Sequence, residues 1–156
     1  MALIATLAVL FSVLSITAPM AQAAETKDGG PSRSGAGALA WYPSLNPIDT
    51  SRDVESVHRN VSTQDRNTFV DNCPSGNVCL AAGEGDGQHT VWKLYYCTRR
   101  TLSQFNGDGA IYNHQTGGAS TILLDKNGRA IPGWGTITAG QKVRVTWDKV
   151  WYIDVC

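Results

Sequence analysis

The sequence predicts a small all-β domain, an antiparallel sandwich or small barrel pinned by two disulfide bonds and preceded by a leader and a largely irregular segment. Short apolar runs alternate with glycine-rich turns over residues 73–156, which is typical of antiparallel strands. Sixteen glycines and six prolines in 156 residues argue against a long helical bundle, because both residue types interrupt helices. All four cysteines lie in the second half of the chain.

Residues 1–24 have the pattern of a secretory signal peptide. Met1–Ile16 are mostly apolar, no charged side chain precedes Glu25, and Ala21-Gln-Ala23 supplies the small-x-small pattern of a cleavage site. A membrane-spanning helix is the alternative, but polar residues and a proline interrupt the run and no basic cluster follows it. We therefore expect a secreted, extracellular protein, which would keep 156 − 24 = 132 residues if cleaved after Ala24.

Residues 25–72 contain no cysteine, and we expect them to form a poorly ordered linker or a pro-segment that is removed later. Their first part, 27–37, is polar and rich in small residues, so it can bury little surface. A weak helical periodicity is carried by Val54, Val57, Val61 and Phe69. An arm packed on the following domain is the alternative. The predicted β domain begins at Cys73.

The formal charges balance at 13 basic and 13 acidic side chains, and no single segment departs far from neutrality. Residues 25–72 carry 5 basic and 7 acidic side chains, and residues 73–156 carry 8 and 6. A nucleic-acid binder normally has a strong basic excess, so no nucleic-acid partner is predicted. Once the leader is removed we expect no membrane association, and we expect a monomer.

The even cysteine count predicts two disulfides in an oxidising compartment, and three pairings are possible. Proline and glycine in Cys73-Pro-Ser-Gly-Asn-Val-Cys79 favour a tight loop that joins its own ends, which leaves Cys97 to pair with Cys156. Chain entropy assigns about 2.4 kcal/mol to the short loop and about 4.3 kcal/mol to the long one. A structural zinc site would need two close cysteine pairs, and the spacing does not supply them.

Two hairpins are predicted from apolar runs on either side of a turn. A glycine-rich turn over residues 83–87 separates the runs Asn77–Ala82 and Thr90–Tyr96. In the second hairpin Lys126-Asn-Gly128 provides an Asn-Gly pair, which adopts the positive φ that a tight turn needs. The runs that flank this turn are Ser120–Asp125 and Arg129–Ile131.

The remaining elements lie around and after these hairpins. Lys142–Trp147 alternates apolar with polar residues and is predicted to be a half-buried strand, and Val150–Val155 is the last strand. Thr98–Phe105 is the one segment of the domain that is predicted to form a helical turn. Trp147 and Trp151 are both expected in the core, because a large aromatic side chain in an alternating strand usually packs inside.

Residues 73–156 also carry motifs that resemble those of a known family. The motifs are Cys73-Pro-Ser-Gly-Asn-Val-Cys79-Leu80, Phe105-Asn-Gly-Asp-Gly109, Asn113-His-Gln-Thr-Gly-Gly118 and Trp147-Asp-Lys-Val-Trp-Tyr-Ile-Asp-Val-Cys156. They are similar to motifs of the secreted actinobacterial peptidase inhibitors typified by the Streptomyces metalloproteinase inhibitor. The resemblance does not reach residues 25–72. It implies a β/γ-crystallin-like Greek-key domain that inhibits an extracellular protease.

Many crystallin-type domains bind calcium on a loop of Asn or Asp followed by Ser or Thr, and the corresponding stretch here departs from that pattern. Asn106-Gly-Asp-Gly-Ala-Ile111 has glycine at the second place and no hydroxyl at its end. Calcium prefers several oxygen ligands, and Asp108 alone does not provide them. We therefore expect neither a calcium site nor another cofactor.

A rigid loop that docks in a protease cleft is the expected mode of inhibition, because preorganisation lowers the entropic cost of binding. Carboxylates in the loop Gly83–His89 would approach a catalytic zinc, and a basic and apolar set in Asp125–Gly135 would suit specificity pockets. An ordinary surface turn is the alternative for each loop. The candidate residues are Glu84, Asp86 and His89 in the first loop and Arg129, Ile131 and Trp134 in the second.

An enzyme, a cell-wall-binding module and a structural protein are the alternatives to an inhibitor. The chain is predicted not to be an enzyme, because no Gly-x-Ser-x-Gly surrounds a serine and no spacing pairs a histidine or carboxylate with a nucleophile. A crystallin-like killer toxin or carbohydrate-binding module that acts on cell walls is the main alternative, and a structural secreted protein is a further one. The sugar-stacking platform would consist of Trp92, Tyr95, Tyr112 and Trp134.

Overall fold

The domain is a sandwich of two antiparallel sheets, and the predicted all-β class with two disulfides is confirmed. A computed structural model describes residues 40–156, so the predicted signal peptide, residues 1–24, and residues 25–39 lie outside the described part. The strands are β1 Ser44–Asn46, β2 Ser56–Val61, β3 Asn77–Gly83, β4 His89–Leu94, β5 Arg99–Ser103, β6 Asp108–His114, β7 Thr121–Leu124, β8 Thr136–Ile137, β9 Lys142–Thr146 and β10 Tyr152–Val155. Helix α1 spans Thr63–Asp71, and a 3-10 turn spans Trp147–Lys149.

Each sheet has five strands in a non-sequential order. Sheet A has the order β1-β5-β10-β7-β8, and sheet B has the order β2-β4-β3-β6-β9. The apolar inner faces of the two sheets form one core, to which Leu80 and Trp92 contribute from sheet B and Leu123 and Ile153 from sheet A. Side chains on a strand alternate between faces, so Arg99, Thr101 and Ser103 of β5 are exposed while Arg100 and Leu102 are buried. The polar residues of β9 are likewise exposed.

Strand β3 is buried on both faces, which explains its uninterrupted apolar run. Val78 and Leu80 face the core between the sheets. Ala81, on the opposite face, packs with Val91 against Val70 of α1. A strand that is covered on both sides reads as a continuous rather than an alternating apolar segment.

Helix α1 lies on the outer face of sheet B and is fixed at its start by a side-chain cap. The Ser62 hydroxyl accepts a hydrogen bond from the Asp65 N–H at 3.1 Å and donates one to the Asp65 carboxylate at 2.7 Å. Such a cap satisfies a backbone donor that has no partner within the helix. Toward its other end the helix packs Phe69 and Val70 on the sheet.

The structure differs from the predicted domain boundary at Cys73, because residues 44–71 are built into the sandwich. Leu45 of β1 pairs with Leu102 of β5, and Val57 of β2 pairs with Trp92 of β4. The weak helical periodicity of Val54, Val57, Val61 and Phe69 extends over two different elements, strand β2 and helix α1. Polar residues in this segment make hydrogen bonds inside the domain, so its composition resembles that of a linker although its backbone is ordered.

Both disulfides have the pairing that the sequence favoured. Cys73 is bonded to Cys79 with a Cα–Cα distance of 5.6 Å, and Cys97 is bonded to Cys156 with a Cα–Cα distance of 5.1 Å. Of the three possible pairings, this one ties a short turn at the start of β3 and joins the end of β10 to the chain before β5.

The other element predictions have mixed outcomes. The first hairpin is confirmed as β3 and β4, and the Asn-Gly turn is confirmed by Gly128 at φ 73° with a bridge between Leu124 and Ala130. The helical turn predicted at Thr98–Phe105 is wrong, because β5 is a strand held between β1 and β10. The sequence did not predict β6, whose glycine and polar residues hide the alternation of buried positions.

Trp147 lies in the core, as predicted, and it packs so closely on residue 109 that only glycine fits there. Its indole N–H donates to the Ala81 carbonyl at 2.9 Å, and it is fully buried. Gly109 lies so close that a Cβ there would stand 1.9 Å from Trp147 Nε1 and 2.1 Å from the Ala81 oxygen.

Gly109→Ala is therefore expected to lower the free energy of unfolding by about 3 kcal/mol, because the new methyl group displaces the indole and breaks its buried hydrogen bond. Urea unfolding measures the change. Gly83→Ala is the matched control, since a Cβ there meets nothing within 4 Å and Gly83 lies in the neighbouring strand of the same sheet. Equal losses in the two variants would contradict the packing argument.

Candidate functional site

Glu84, a predicted inhibitory residue, is a buried anchor and is not available to a protease. Its side chain is fully buried, and Oε1 accepts hydrogen bonds from the Asn60 N–H at 3.0 Å and the Thr90 hydroxyl at 2.6 Å. Asn60 reaches it because β2 bulges between His58 and Val61, where Asn60 takes φ 54°. Its proposed role at a catalytic zinc is therefore wrong.

The segment before β1 packs on the Gly83–His89 loop at Glu84 and Gly85. The Trp41 N–H donates to the Glu84 carbonyl at 2.9 Å, and the Trp41 ring lies on Gly85 at a place where a Cβ would be only 2.1 Å from a ring carbon. Asp86 is exposed and accepts a hydrogen bond from the Gln88 N–H at 2.9 Å. Of the three candidates in this loop, only Asp86 is exposed.

His89 faces α1 rather than the tip of the loop. It is half-buried, and its Nδ1 lies 3.3 Å from the Val61 carbonyl oxygen. Burial lowers the pKa of His89, and the nearby Arg66 guanidinium lowers it further. The imidazole is therefore uncharged at neutral pH, and it belongs to a different surface from Asp86.

The second predicted loop, Asp125–Gly135, is held rigidly at its start by one carboxylate. Asp125 Oδ1 accepts hydrogen bonds from the N–H groups of Asn127 at 2.8 Å and Arg129 at 3.0 Å. The Asp125 N–H donates to the Arg129 carbonyl at 2.8 Å and closes the turn. The hydrogen bond from the Arg129 N–H is the main reason that the pKa of Asp125 lies below its usual value.

The end of this loop is fixed against β7. The Ile131 N–H donates to the Leu123 carbonyl at 3.1 Å, and the Gly135 N–H donates to the Ile131 carbonyl at 2.9 Å. Ile131 is buried in the core, so it anchors the loop and is not free to enter a specificity pocket as predicted. Arg129 and Trp134 are exposed on the anchored loop.

Trp134 lies beside a second exposed indole that the sequence placed in the core. Trp151 is 50 % exposed and Trp134 is 39 % exposed, so the predicted burial of Trp151 is wrong. Its backbone is fixed, because its N–H donates to the Leu124 carbonyl at 2.8 Å and its carbonyl accepts from the Leu102 N–H at 2.9 Å. The 3-10 turn after β9 interrupts the strand alternation, and this turns Trp151 away from the core that holds Trp147.

The two indoles line one groove of about 480 Å³, which we call the tryptophan groove. Its walls carry both apolar and charged side chains, so it offers van der Waals surface together with hydrogen-bonding groups. The principal lining residues are Asp125, Ile131, Pro132, Trp134, Lys149 and Trp151.

The predicted sugar-stacking platform is not formed. Trp92 is buried and stacks on Phe105 with ring centroids 4.9 Å apart. Tyr112 stacks on His114, also at 4.9 Å, on the outer face of sheet B, where it packs beside α1. Tyr95 is exposed, but it lines a different cavity from Trp134.

Asp108, the acidic residue of the degenerate calcium motif, is engaged by protein groups. Its carboxylate accepts hydrogen bonds from Arg144 at 2.8 Å and from the Thr146 hydroxyl at 3.1 Å. These two hydrogen bonds lower the pKa of Asp108, and the one from Arg144 has the larger effect. Within residues 40–156, no group of three His, Cys, Asp or Glu side chains is placed to hold a metal ion.

Two disulfides without a free cysteine in residues 40–156 are consistent with an extracellular protein. Over the same residues, no helix is both long enough and apolar enough to cross a membrane. No protein-family model, no curated protein and no solved structure matches the chain.

Proposed function

We propose that the protein is a secreted inhibitor of an extracellular protease, and that the tryptophan groove together with Arg129 is its docking surface. The observation that carries this proposal is a loop fixed at both ends that presents exposed arginine and tryptophan side chains. Tryptophan and arginine dominate the energetics of protein interfaces. A fixed loop also loses little conformational entropy on binding. The resemblance of motifs in residues 73–156 to those of secreted peptidase inhibitors supports the same proposal.

The exposed indoles supply only part of the binding energy that an inhibitor needs. Burying the free surface of Trp134 and Trp151 removes about 200 Å² from water, which is worth about 5 kcal/mol. That alone corresponds to a dissociation constant of roughly 0.2 mM, before the entropic cost of association. Contacts from Arg129 and from the loop backbone therefore have to contribute in a tight complex.

The proposal is tested by titrating the purified protein against a metalloprotease, a serine protease and a cysteine protease, for example thermolysin, subtilisin and papain. We expect near-stoichiometric loss of activity for one class. Trp134→Ala is expected to weaken that inhibition by about 30-fold, or roughly 2 kcal/mol, because it removes a central anchor.

Tyr95→Ala is the matched control, because Tyr95 is 49 % exposed and lines a separate cavity. Its inhibition constant is expected to stay unchanged. Failure to inhibit any of the three proteases, or equal weakening by both substitutions, would count against the proposed surface.

A carbohydrate-binding function is the second candidate, and the pairing of two exposed indoles in one groove favours it. Sugar rings stack on indoles, while Asp125 and Lys149 are placed to bind hydroxyl groups. Pull-down on chitin and β-glucan distinguishes the two functions. If the protein binds chitin or β-glucan, if Trp151→Ala abolishes this binding, and if no protease is inhibited, the carbohydrate-binding function is supported in place of inhibition.

A further inference from the structure

A second groove lies between α1 and the outer face of β6 and β9, on sheet B. It encloses about 590 Å³, and we call it the α1 groove. Its lining is mostly polar and charged, with a smaller apolar part formed by Val70, Gly109, Ala110 and Val143. From β6 the groove is lined by Asp108, Gly109 and Ala110, and the small size of the last two leaves space between the helix and this part of the sheet.

The charged side chains of the α1 groove do not cancel. Lys142 pairs with Asp71 at 2.6 Å, and Arg144 pairs with Asp108 at 2.8 Å. Arg66 lines the groove and forms no ion pair with any residue of the described part, 40–156. Three cations and two carboxylates therefore leave one positive charge without a counter-ion.

Arg66 also has an unused donor. Its Nε–H is buried and has no hydrogen-bond partner among the described residues. A buried donor without an acceptor carries a desolvation cost, and native structures normally satisfy such groups. His89 lines the same groove but is uncharged at neutral pH, so it neither competes for an anion nor adds to the positive charge.

We propose that the α1 groove binds a small organic carboxylate, with the Arg66 guanidinium as its counter-ion. The planar fork of a guanidinium matches the two oxygens of a carboxylate. A single unpaired cation balances one negative charge, which favours a carboxylate over a doubly charged phosphate. The small apolar lining then receives the body of the ligand.

An acidic sugar and the C-terminal residue of a peptide both supply this chemistry. A groove of this volume lies within the range of small-ligand pockets and accommodates either. The inference does not depend on the proposed protease inhibition, because neither Arg66 nor His89 belongs to the tryptophan groove.

Calorimetric titration of the full chain tests the inference with D-glucuronate and N-acetylglycine as probes and with D-glucose and N-acetylglycinamide as uncharged counterparts. We expect at least one carboxylate to bind saturably while its uncharged counterpart does not. Arg66→Gln, which keeps hydrogen-bonding capacity but removes the charge, is expected to weaken binding by about tenfold or more. Arg52→Gln, at an exposed arginine outside the groove, is expected to leave it unchanged.

A second readout comes from the His89 pKa, measured by NMR in the unsubstituted protein. The charged groups that act on His89 are Arg66 from α1 and Glu84 and Asp86 from the preceding loop. A bound carboxylate offsets the field of Arg66, so the His89 pKa is expected to rise when the ligand is added.

The outcomes separate clearly. Binding of glucuronate alone identifies an acidic sugar, and binding of N-acetylglycine alone identifies a peptide end. Both results support the inference, provided that Arg66→Gln weakens the binding. Equal binding of the uncharged counterparts, no effect of Arg66→Gln, or no saturation together with an unmoved His89 pKa would overturn it.

Discussion

Arg100→Ala is expected to lower the free energy of unfolding by about 4 kcal/mol, because it leaves a buried carboxylate without its counter-ion. Arg100 is 2 % exposed and Glu55 is 1 % exposed, and their side chains meet at 2.6 Å. Arg100 also donates to the carbonyl oxygens of Pro47 and Tyr96. The substitution thus removes one charge and opens a cavity in the sandwich.

Glu55 shows why the pair has to be kept or lost as a unit. Besides Arg100, its carboxylate accepts hydrogen bonds from the N–H groups of Asp49 at 2.9 Å and of Tyr95 and Tyr96, both at 3.0 Å. A carboxylate with this many donors is well satisfied only while the loop before β2 stays in place. Chemical denaturation of Arg100→Ala, Glu55→Gln and the double variant measures the coupling, and we expect the double variant to lose less than the sum of the two losses.

Arg99→Ala is the internal control for this prediction. Arg99 is the preceding residue and also forms an ion pair, with Asp154 at 2.7 Å, but its side chain is 54 % exposed. Exposed pairs contribute little to stability because water screens them. A loss for Arg99→Ala that equals the loss for Arg100→Ala would show that burial of the pair is not the cause.

The pH dependence of unfolding provides an independent measurement on the same pair. Burial raises the pKa of Glu55, but the backbone donors from Asp49, Tyr95 and Tyr96 together with Arg100 outweigh burial and hold it below its usual value of 4.5. A lowered pKa in the folded state stabilises the fold above the unfolded-state pKa, and this stabilisation is lost as the pH falls through the folded-state value. The acid decline in stability is therefore expected to be shallower in Glu55→Gln.

A chain that begins at Cys73 is expected not to fold, although this was the boundary that the sequence predicted. It lacks β1, β2 and α1, and so it uncovers Leu102, Trp92 and Ala81. It also lacks Glu55, which leaves Arg100 buried and unpaired. The lost apolar burial and the unpaired charge together cost about 10 kcal/mol, comparable to the whole stability of a typical domain.

The matched control is a chain that begins at Ala40, which keeps all the described contacts. We expect it to show dispersed NMR resonances and cooperative unfolding after oxidative refolding, whereas the chain that begins at Cys73 shows neither. A folded chain from Cys73 would restore the prediction that residues up to 72 are a dispensable linker or pro-segment.

Local patterns allowed part of the fold to be predicted from the sequence. The pairing of Cys73 with Cys79 and the turn at Gly128 depend on residues within six positions of each other, so their signals are contained in short stretches. The apolar run of β3 predicted a strand for the same reason. Strand β1 and the placement of β2 depend instead on partners far along the chain, and polar residues such as Glu55 gave no sign of burial.

The candidate site was predicted only in part, for a related reason. Arg129 and Trp134 were correctly placed on an exposed loop from its turn residues. The exposure of Trp151 was not predicted. Its position continues the apolar alternation of the sequence, but the 3-10 turn before it changes the face to which its side chain points. Glu84 was predicted to be an exposed ligand, and its burial and its hydrogen bond from the distant Asn60 N–H left no local signal in the sequence.

The middle strand of sheet A is β10, which pairs with β5 on one side and β7 on the other. Sheet A therefore cannot close before Val155 has been synthesised, and the bond from Cys97 to Cys156 forms later still. Until that point β5 and β7 each keep an open edge, and open strand edges are sites of misassembly. Sheet A is thus completed only when β10 inserts between two strands that precede it in the chain, and the exposed edges of those two strands are vulnerable until then.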